Sequence, residues 1–109
     1  MYAILLSMSS SLIKTNLSTV FKALSDPARL KILSYLANDT EGPCCPMIDE
    51  ICACDLESLT KLSQPTVSHH MKILTNSGLT TVTKKGRWKY YKIDKETIAQ
   101  LKSFLAELE

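Results

Sequence analysis

Apolar positions along the chain repeat mostly at helical spacing, then switch to a two-residue period near the end. From Ser10 to Leu24 the apolar residues Ile13, Leu17, Val20, Phe21 and Leu24 fall on one helical face. Ser25-Asp26-Pro27 breaks that run, with Asp26 suited to cap a second helix and Pro27 to occupy its first position. The second helix turns Leu30, Leu33 and Leu36 inward and ends near Asn38. Gly42 to Pro46 reads as a loop. Asp49 then caps a third helix that runs through Ile51, Leu56 and Leu59 to about Leu62. Ser63 caps a fourth, with Pro65 in its first turn and Val67, Met71 and Leu74 facing in; Ser77-Gly78 stops it. Leu79–Thr83 and Trp88–Ile93 then alternate as two strands about a Lys85-Gly86 turn, and Lys95 to about Leu108 closes the chain as an amphipathic helix. The predicted order is α-α-α-α-β-β-α, mainly helical with a β-hairpin wing.

Composition leaves this picture intact. The 109 residues fit one domain, 1–109, and only 6% of them are aromatic, so the core must be built from Leu, Ile, Val and Met. No run approaches the roughly 18–20 apolar residues of a membrane span. Met1–Leu6 lacks a basic flank and reads as a loose terminus or a first helical turn, not a signal peptide. The reading is a cytoplasmic protein with no membrane partner. Three glycines leave no phosphate-cradling loop, and no nucleophile–base–acid spacing suggests catalysis, so no enzymatic activity and no organic cofactor are expected.

A net charge of +2 argues little by itself, but its distribution does. Between Lys84 and Lys92 stand five basic residues and no acid. Two short helices joined by Lys61-Leu62-Ser63 form a helix-turn-helix candidate whose second member carries Gln64, Thr66, Ser68 and His69 outward. Such short polar groups can approach base edges in a major groove, with Lys72 one turn on for a phosphate. Lys84, Lys85 and Arg87 at the hairpin tip suit the phosphate backbone. Lysines on an edge strand also serve simply to prevent aggregation. Helix-turn-helix and basic hairpin in tandem, however, form the winged-helix arrangement, whose partner is double-stranded DNA. His69 and His70 are adjacent, so their side chains diverge by about 100° on a helix and do not chelate together.

Four cysteines, Cys44, Cys45, Cys52 and Cys54, lie within one short segment, which inside a cell reads as metal or redox chemistry. Soft thiolates select As(III), Sb(III), Cd(II), Pb(II) or Zn(II), and four of them can build a tetrahedral site. A small buried cysteine is also good core packing, which would explain Cys52 or Cys54 but not the adjacent pair in a polar loop. Residues two apart on a regular helix point about 160° apart, so chelation by both Cys52 and Cys54 is expected to distort the first turn of the third helix.

Phe21-Lys22-Ala23-Leu24-Ser25-Asp26-Pro27-Ala28-Arg29-Leu30-Lys31-Ile32-Leu33, Ile51-Cys52-Ala53-Cys54-Asp55-Leu56, Leu62 to Leu74 and Gly86 to Tyr91 together resemble the ArsR/SmtB family of metal-sensing repressors. The run Ser63-Gln64-Pro65-Thr66-Val67-Ser68-His69-His70 is the most specific part. The resemblance implies a winged-helix homodimer joined by its first and last helices. It would bind an inverted-repeat operator without its inducer and release it on inducer binding. Cys52-Ala53-Cys54-Asp55-Leu56 is similar to the signature of the family's thiol sensors. Many arsenic sensors of that type carry a third cysteine where this chain has Glu57. As(III) and Sb(III) favour three thiolates, and Cys44 or Cys45 can supply the third. The expected inducer is As(III) or Sb(III); the alternatives are a Cd(II), Pb(II) or Zn(II) sensor using four cysteines, and a thiol-redox-responsive repressor. The family's zinc site across the last helices is not expected, because no histidine follows His70.

Overall fold

The computed structural model describes residues 16–38 and 51–109. Cys44 and Cys45, the Gly42–Pro46 loop, Asp49 and the part of the first helix before Asn16 lie outside the described residues. Helix α1 (Leu17–Leu24) begins later than the periodicity suggested. Asn16 is extended, and its side-chain oxygen accepts hydrogen bonds from the amides of Ser18 at 2.9 Å and Thr19 at 3.4 Å. Helix α2 (Pro27–Asn38) starts as predicted, with Asp26 Oδ1 accepting from the amides of Ala28 at 2.7 Å and Arg29 at 3.3 Å.

The inward faces of these two helices differ in part from expectation. Val20 and Ala23 are buried on α1, while Phe21 is 39% exposed and meets Phe104 edge-on, ring centroids 5.9 Å apart. On α2 the buried pair is Ile32 and Leu36; Leu33 is half-buried and Leu30 is 51% exposed. Two residues correspond to about 200° of helix rotation, so once Ile32 faces the core Leu30 must point away.

A two-residue strand β1 (Ile51–Cys52) precedes helix α3 (Ala53–Thr60), so the third helix starts after Cys52, not at Asp49. Lys61 takes a left-handed conformation (φ 60°, ψ 26°) and turns the chain into helix α4 (Gln64–Asn76), completing the helix-turn-helix. Helix α4 ends in a Schellman motif. The Leu79 amide donates to the Leu74 carbonyl and the Gly78 amide to the Thr75 carbonyl, both at 3.1 Å, with Gly78 at φ +91°. Leu74 and Leu79 are both fully buried beside it.

Strands β2 (Thr80–Lys85) and β3 (Trp88–Ile93) form the hairpin, and β1 adds antiparallel to β3, giving the order β1-β3-β2. The positions from Val82 to Lys89 are all exposed, so the hairpin projects as a wing. Gly86 has φ +62° and Arg87 does not have a positive φ, the signature of a type II′ turn. An added Cβ at Gly86 would meet nothing within 4 Å. Gly86→Ala is nevertheless expected to lower unfolding stability by about 1–2 kcal/mol in denaturant titration, from backbone strain alone.

Helix α5 (Lys95–Glu107) is capped by Asp94, whose Oδ1 accepts from the amides of Glu96 at 3.0 Å and Thr97 at 3.3 Å. Its Ile98 and Leu101 pack on the core formed by Val20, Ile32, Leu56, Val67, Met71 and Leu74. Leu105 and Leu108, expected on the same face, are 49% and 67% exposed. No helix among the described residues is long and apolar enough to cross a membrane.

Candidate nucleic-acid interface and thiol site

Helix α4 separates its residues into two faces. Val67, His70, Met71 and Leu74 are buried against the helices and sheet behind it. Gln64, Ser68, His69 and Lys72 are exposed on the other side, while Thr66 is half-buried with its hydroxyl 2.9 Å from that of Ser63. As expected of adjacent helical residues, the two histidines diverge, His69 exposed and His70 buried.

At the wing tip Lys84, Lys85 and Arg87 are all exposed. Lys85 Nζ lies 5.3 Å from the Tyr90 ring centroid and the Arg87 guanidinium carbon 5.8 Å from that of Trp88. These ring contacts hold the basic stems without neutralising their charge. Lys89 was not among the predicted site residues, yet it faces the same region. It stands directly opposite Lys84 in the β2–β3 register and, with Ser68, Lys72 and Asn76, lines a groove of about 350 Å³ between α4 and the wing. Like charges facing each other across strands oppose pairing. A turn at Lys85-Gly86, as the sequence suggested, would set Lys84 against Arg87; the turn at Gly86-Arg87 sets it against Lys89 instead.

The thiols occupy the joint between wing and helix-turn-helix. Cys52 ends β1, where its register partner is Tyr90, and its extended backbone (φ −68°, ψ 144°) precedes α3. Cys54 sits in the first turn of α3. The two sulfurs are 2.8 Å apart, and neither forms a disulfide. The expectation that both would lie on a helix and diverge is therefore corrected. Strand pairing holds Cys52 outside the helix, and the sulfurs converge without distorting α3.

Cys52 is fully buried, whereas half-buried Cys54 lines a cleft of about 190 Å³ with Glu57, Gln64, Arg87, Trp88 and Tyr91. Burial raises the Tyr91 phenol above its ordinary value. Asp55, fully buried, occupies the first turn of α3, where the helix dipole favours a carboxylate. Among the described residues no three Cys, His, Asp or Glu side chains are grouped to hold a metal. The convergent pair places two soft donor atoms side by side. Cys44 and Cys45 lie outside the described residues.

The sequence pattern of the bacterial regulatory proteins of the arsR family matches residues 26–82. An arsenical resistance operon repressor of Staphylococcus xylosus is 44% identical over 80 residues, covering 73% of this chain and 67% of that protein. A homolog of the cadmium resistance transcriptional regulatory protein CadC from Staphylococcus aureus is 38% identical over 96 residues, covering 86% and 72%. The solution structure of a homodimeric winged helix-turn-helix DNA-binding domain from Mycobacterium bovis, a possible ArsR-family transcriptional regulator, superposes with a TM-score of 0.64. It is 25% identical and covers 93% of this chain and 82% of that one. The two Staphylococcus relatives are transcriptional regulators by name. With the helix-turn-helix, the wing and this sequence match in hand, the chain belongs to the ArsR family of transcriptional regulators.

Proposed function

We propose that this protein is a repressor that binds an inverted-repeat operator as a homodimer and releases it when As(III) or Sb(III) is captured by its cysteines. The observation that carries this reading is the 2.8 Å approach of the Cys52 and Cys54 sulfurs at the junction of wing and helix-turn-helix. An ion bound there pulls on β1, which pairs with wing strand β3, and on the first turn of α3, which precedes the recognition helix. Capture is thereby coupled to the elements that would touch DNA. Cys44 or Cys45 completes the three-thiolate array.

In this reading Gln64, Thr66, Ser68 and His69 address base edges and Lys72 a phosphate. Lys84, Lys85 and Arg87, joined by Lys89, follow the backbone. The tolerated Lys84–Lys89 opposition supports a polyanionic partner, because bound phosphates remove the repulsion. The exposed Phe21, Leu105 and Leu108 support pairing of α1 and α5 with a second copy, as does the homodimeric relative. Operator binding places the protein in the cytoplasm.

A second reading is favoured by the cadmium-resistance relative and the count of four cysteines: a Cd(II), Pb(II) or Zn(II) sensor with a four-thiolate site. Fluorescence anisotropy of labelled operator under reducing conditions separates the two. Release by arsenite at near-stoichiometric levels supports the metalloid sensor. Release by Cd(II) alone transfers the assignment to the divalent sensor, and retention under both leaves the repressor standing and demotes the cysteines to redox or structural roles.

A further inference from the structure

The Arg29 side chain is only 12% exposed, and its ion pair with Asp26 Oδ2 is long, at 3.8 Å. Its guanidinium instead donates to three neutral acceptors. Nε donates to the Ala23 carbonyl at 2.7 Å, Nη2 to the Lys22 carbonyl at 3.5 Å, and Nη1 meets His70 Nδ1 at 3.2 Å. The first two acceptors belong to the last turn of α1. The third is on α4, 41 residues away in sequence. One planar fork therefore joins the C-terminal end of α1 to the buried face of the helix that presents Gln64, Ser68 and His69.

We propose that Arg29 is a positioning residue for DNA recognition, a clamp that sets α4 against the α1–α2 corner and holds only while His70 is neutral. The inference rests on the reading of α4 as the DNA-contacting helix. Its logic is the donor inventory of the two groups. Arginine has no acceptor, so Nδ1 of His70 must accept, and the ring must carry its proton on Nε2. A proton added at Nδ1 turns the acceptor into a donor and sets two cations against each other in a buried contact.

Asp26 offsets only part of that second charge. Among the described residues, the charged and titratable groups shown about the ring are Arg29 and Asp26 of α2 and, on α4 itself, His69 with its ring centroid 5.8 Å away. Asp26 is the sole carboxylate among them. Its Oδ1 is committed to the amides of Ala28 and Arg29, and its Oδ2 already faces the guanidinium. Burial pushes the Asp26 carboxyl up, but those amides, the guanidinium and the histidine together hold it below its usual value. A lysine at position 29 keeps the charge but loses the flat fork that reaches both helices at once.

The test is operator anisotropy from pH 5.5 to 8 on the full chain for wild type, Arg29→Lys and His70→Gln. Amide exchange across α4 is followed in parallel. Glutamine offers an oxygen acceptor and takes up no proton. The expected results are a wild-type affinity that falls about tenfold towards the acid end of this range and a His70→Gln protein that binds normally at neutral pH but lacks the acid loss. Arg29→Lys should bind about tenfold more weakly with an unchanged salt slope, since no phosphate contact is removed.

Protonation of exposed His69 near DNA would strengthen binding in acid, so the loss has the wrong sign to come from it. Wild-type affinity flat with pH, or His70→Gln retaining the acid loss, overturns the clamp. Failure of wild type to bind operator would defeat the DNA reading by itself. The clamp is then decided by exchange: at least about tenfold faster exchange from His70 to Leu74 in Arg29→Lys supports it, and unchanged exchange overturns it.

Discussion

Cys54→Ser is expected to keep the protein on its operator at arsenite concentrations that release the wild type. The shift in the releasing concentration should exceed about a hundredfold. Loss of an outer-shell partner alone costs roughly 10–100-fold in affinity, and this change removes a direct soft donor. The geometry makes Cys54 the sharper test of the pair. Cys52 is fully buried and sits in register with Tyr90, so a serine there also places a hydroxyl in the core and disturbs β1. Cys54 is half-buried at the edge of the cleft, where a serine hydroxyl is readily solvated. Operator affinity without arsenite and the thermal midpoint should therefore stay near wild type, which confines the effect to ion capture. Anisotropy titration of the two proteins side by side measures it. If both are released at the same arsenite concentration, the Cys52–Cys54 pair is not the inducer site, and induction must use Cys44 and Cys45.

The features that position the DNA-facing surface were legible because they depend on local chemistry. Ser63 before Gln64-Pro65, Gly78 after the last turn of α4, Asp26-Pro27, and Gly86 within a β-branched and aromatic run each act within a few residues of themselves. The structure places helix or turn boundaries at every one of them. What the sequence hid was non-local. Strand β1 is two residues long and exists through its pairing with Tyr90 and Tyr91, almost forty positions later. Ile51 and Cys52 carry no period of their own, so they were absorbed into the following helix. That small error had a large chemical consequence, because it made the two sulfurs diverge on paper while pairing brings them together. The exposure of Phe21 and Leu30 was hidden for a related reason. Apolar residues at spacings of three and four fit more than one stripe of a helix, and the choice is made by what packs against it. The Arg29–His70 contact joins positions with nothing between them in sequence to mark it.

Leu56→Ala should remove about 2–5 kcal/mol of unfolding stability, the cost of a buried leucine truncation that leaves a cavity. Leu56 is completely buried in α3, which packs against α2, α4, β1 and β3, so no flexible surface element can collapse into the space. Against a typical total of about 5–15 kcal/mol, that loss can empty much of the native population at physiological temperature. The same truncation at Leu105 and Leu108 should behave differently. These side chains are 49% and 67% exposed in one chain, so removing them costs a folded monomer little. If α1 and α5 join two copies, their loss weakens association instead. Denaturant midpoints separate the two cases. The Leu56→Ala midpoint should fall at every protein concentration, as expected for a core defect within each chain. Leu105→Ala with Leu108→Ala should approach wild type at high concentration and fall away on dilution, because binding of a second copy stabilises the folded state by mass action. A double variant whose midpoint matches wild type at all concentrations would remove this face from the dimer contact, while a core defect at Leu56 would remain as predicted.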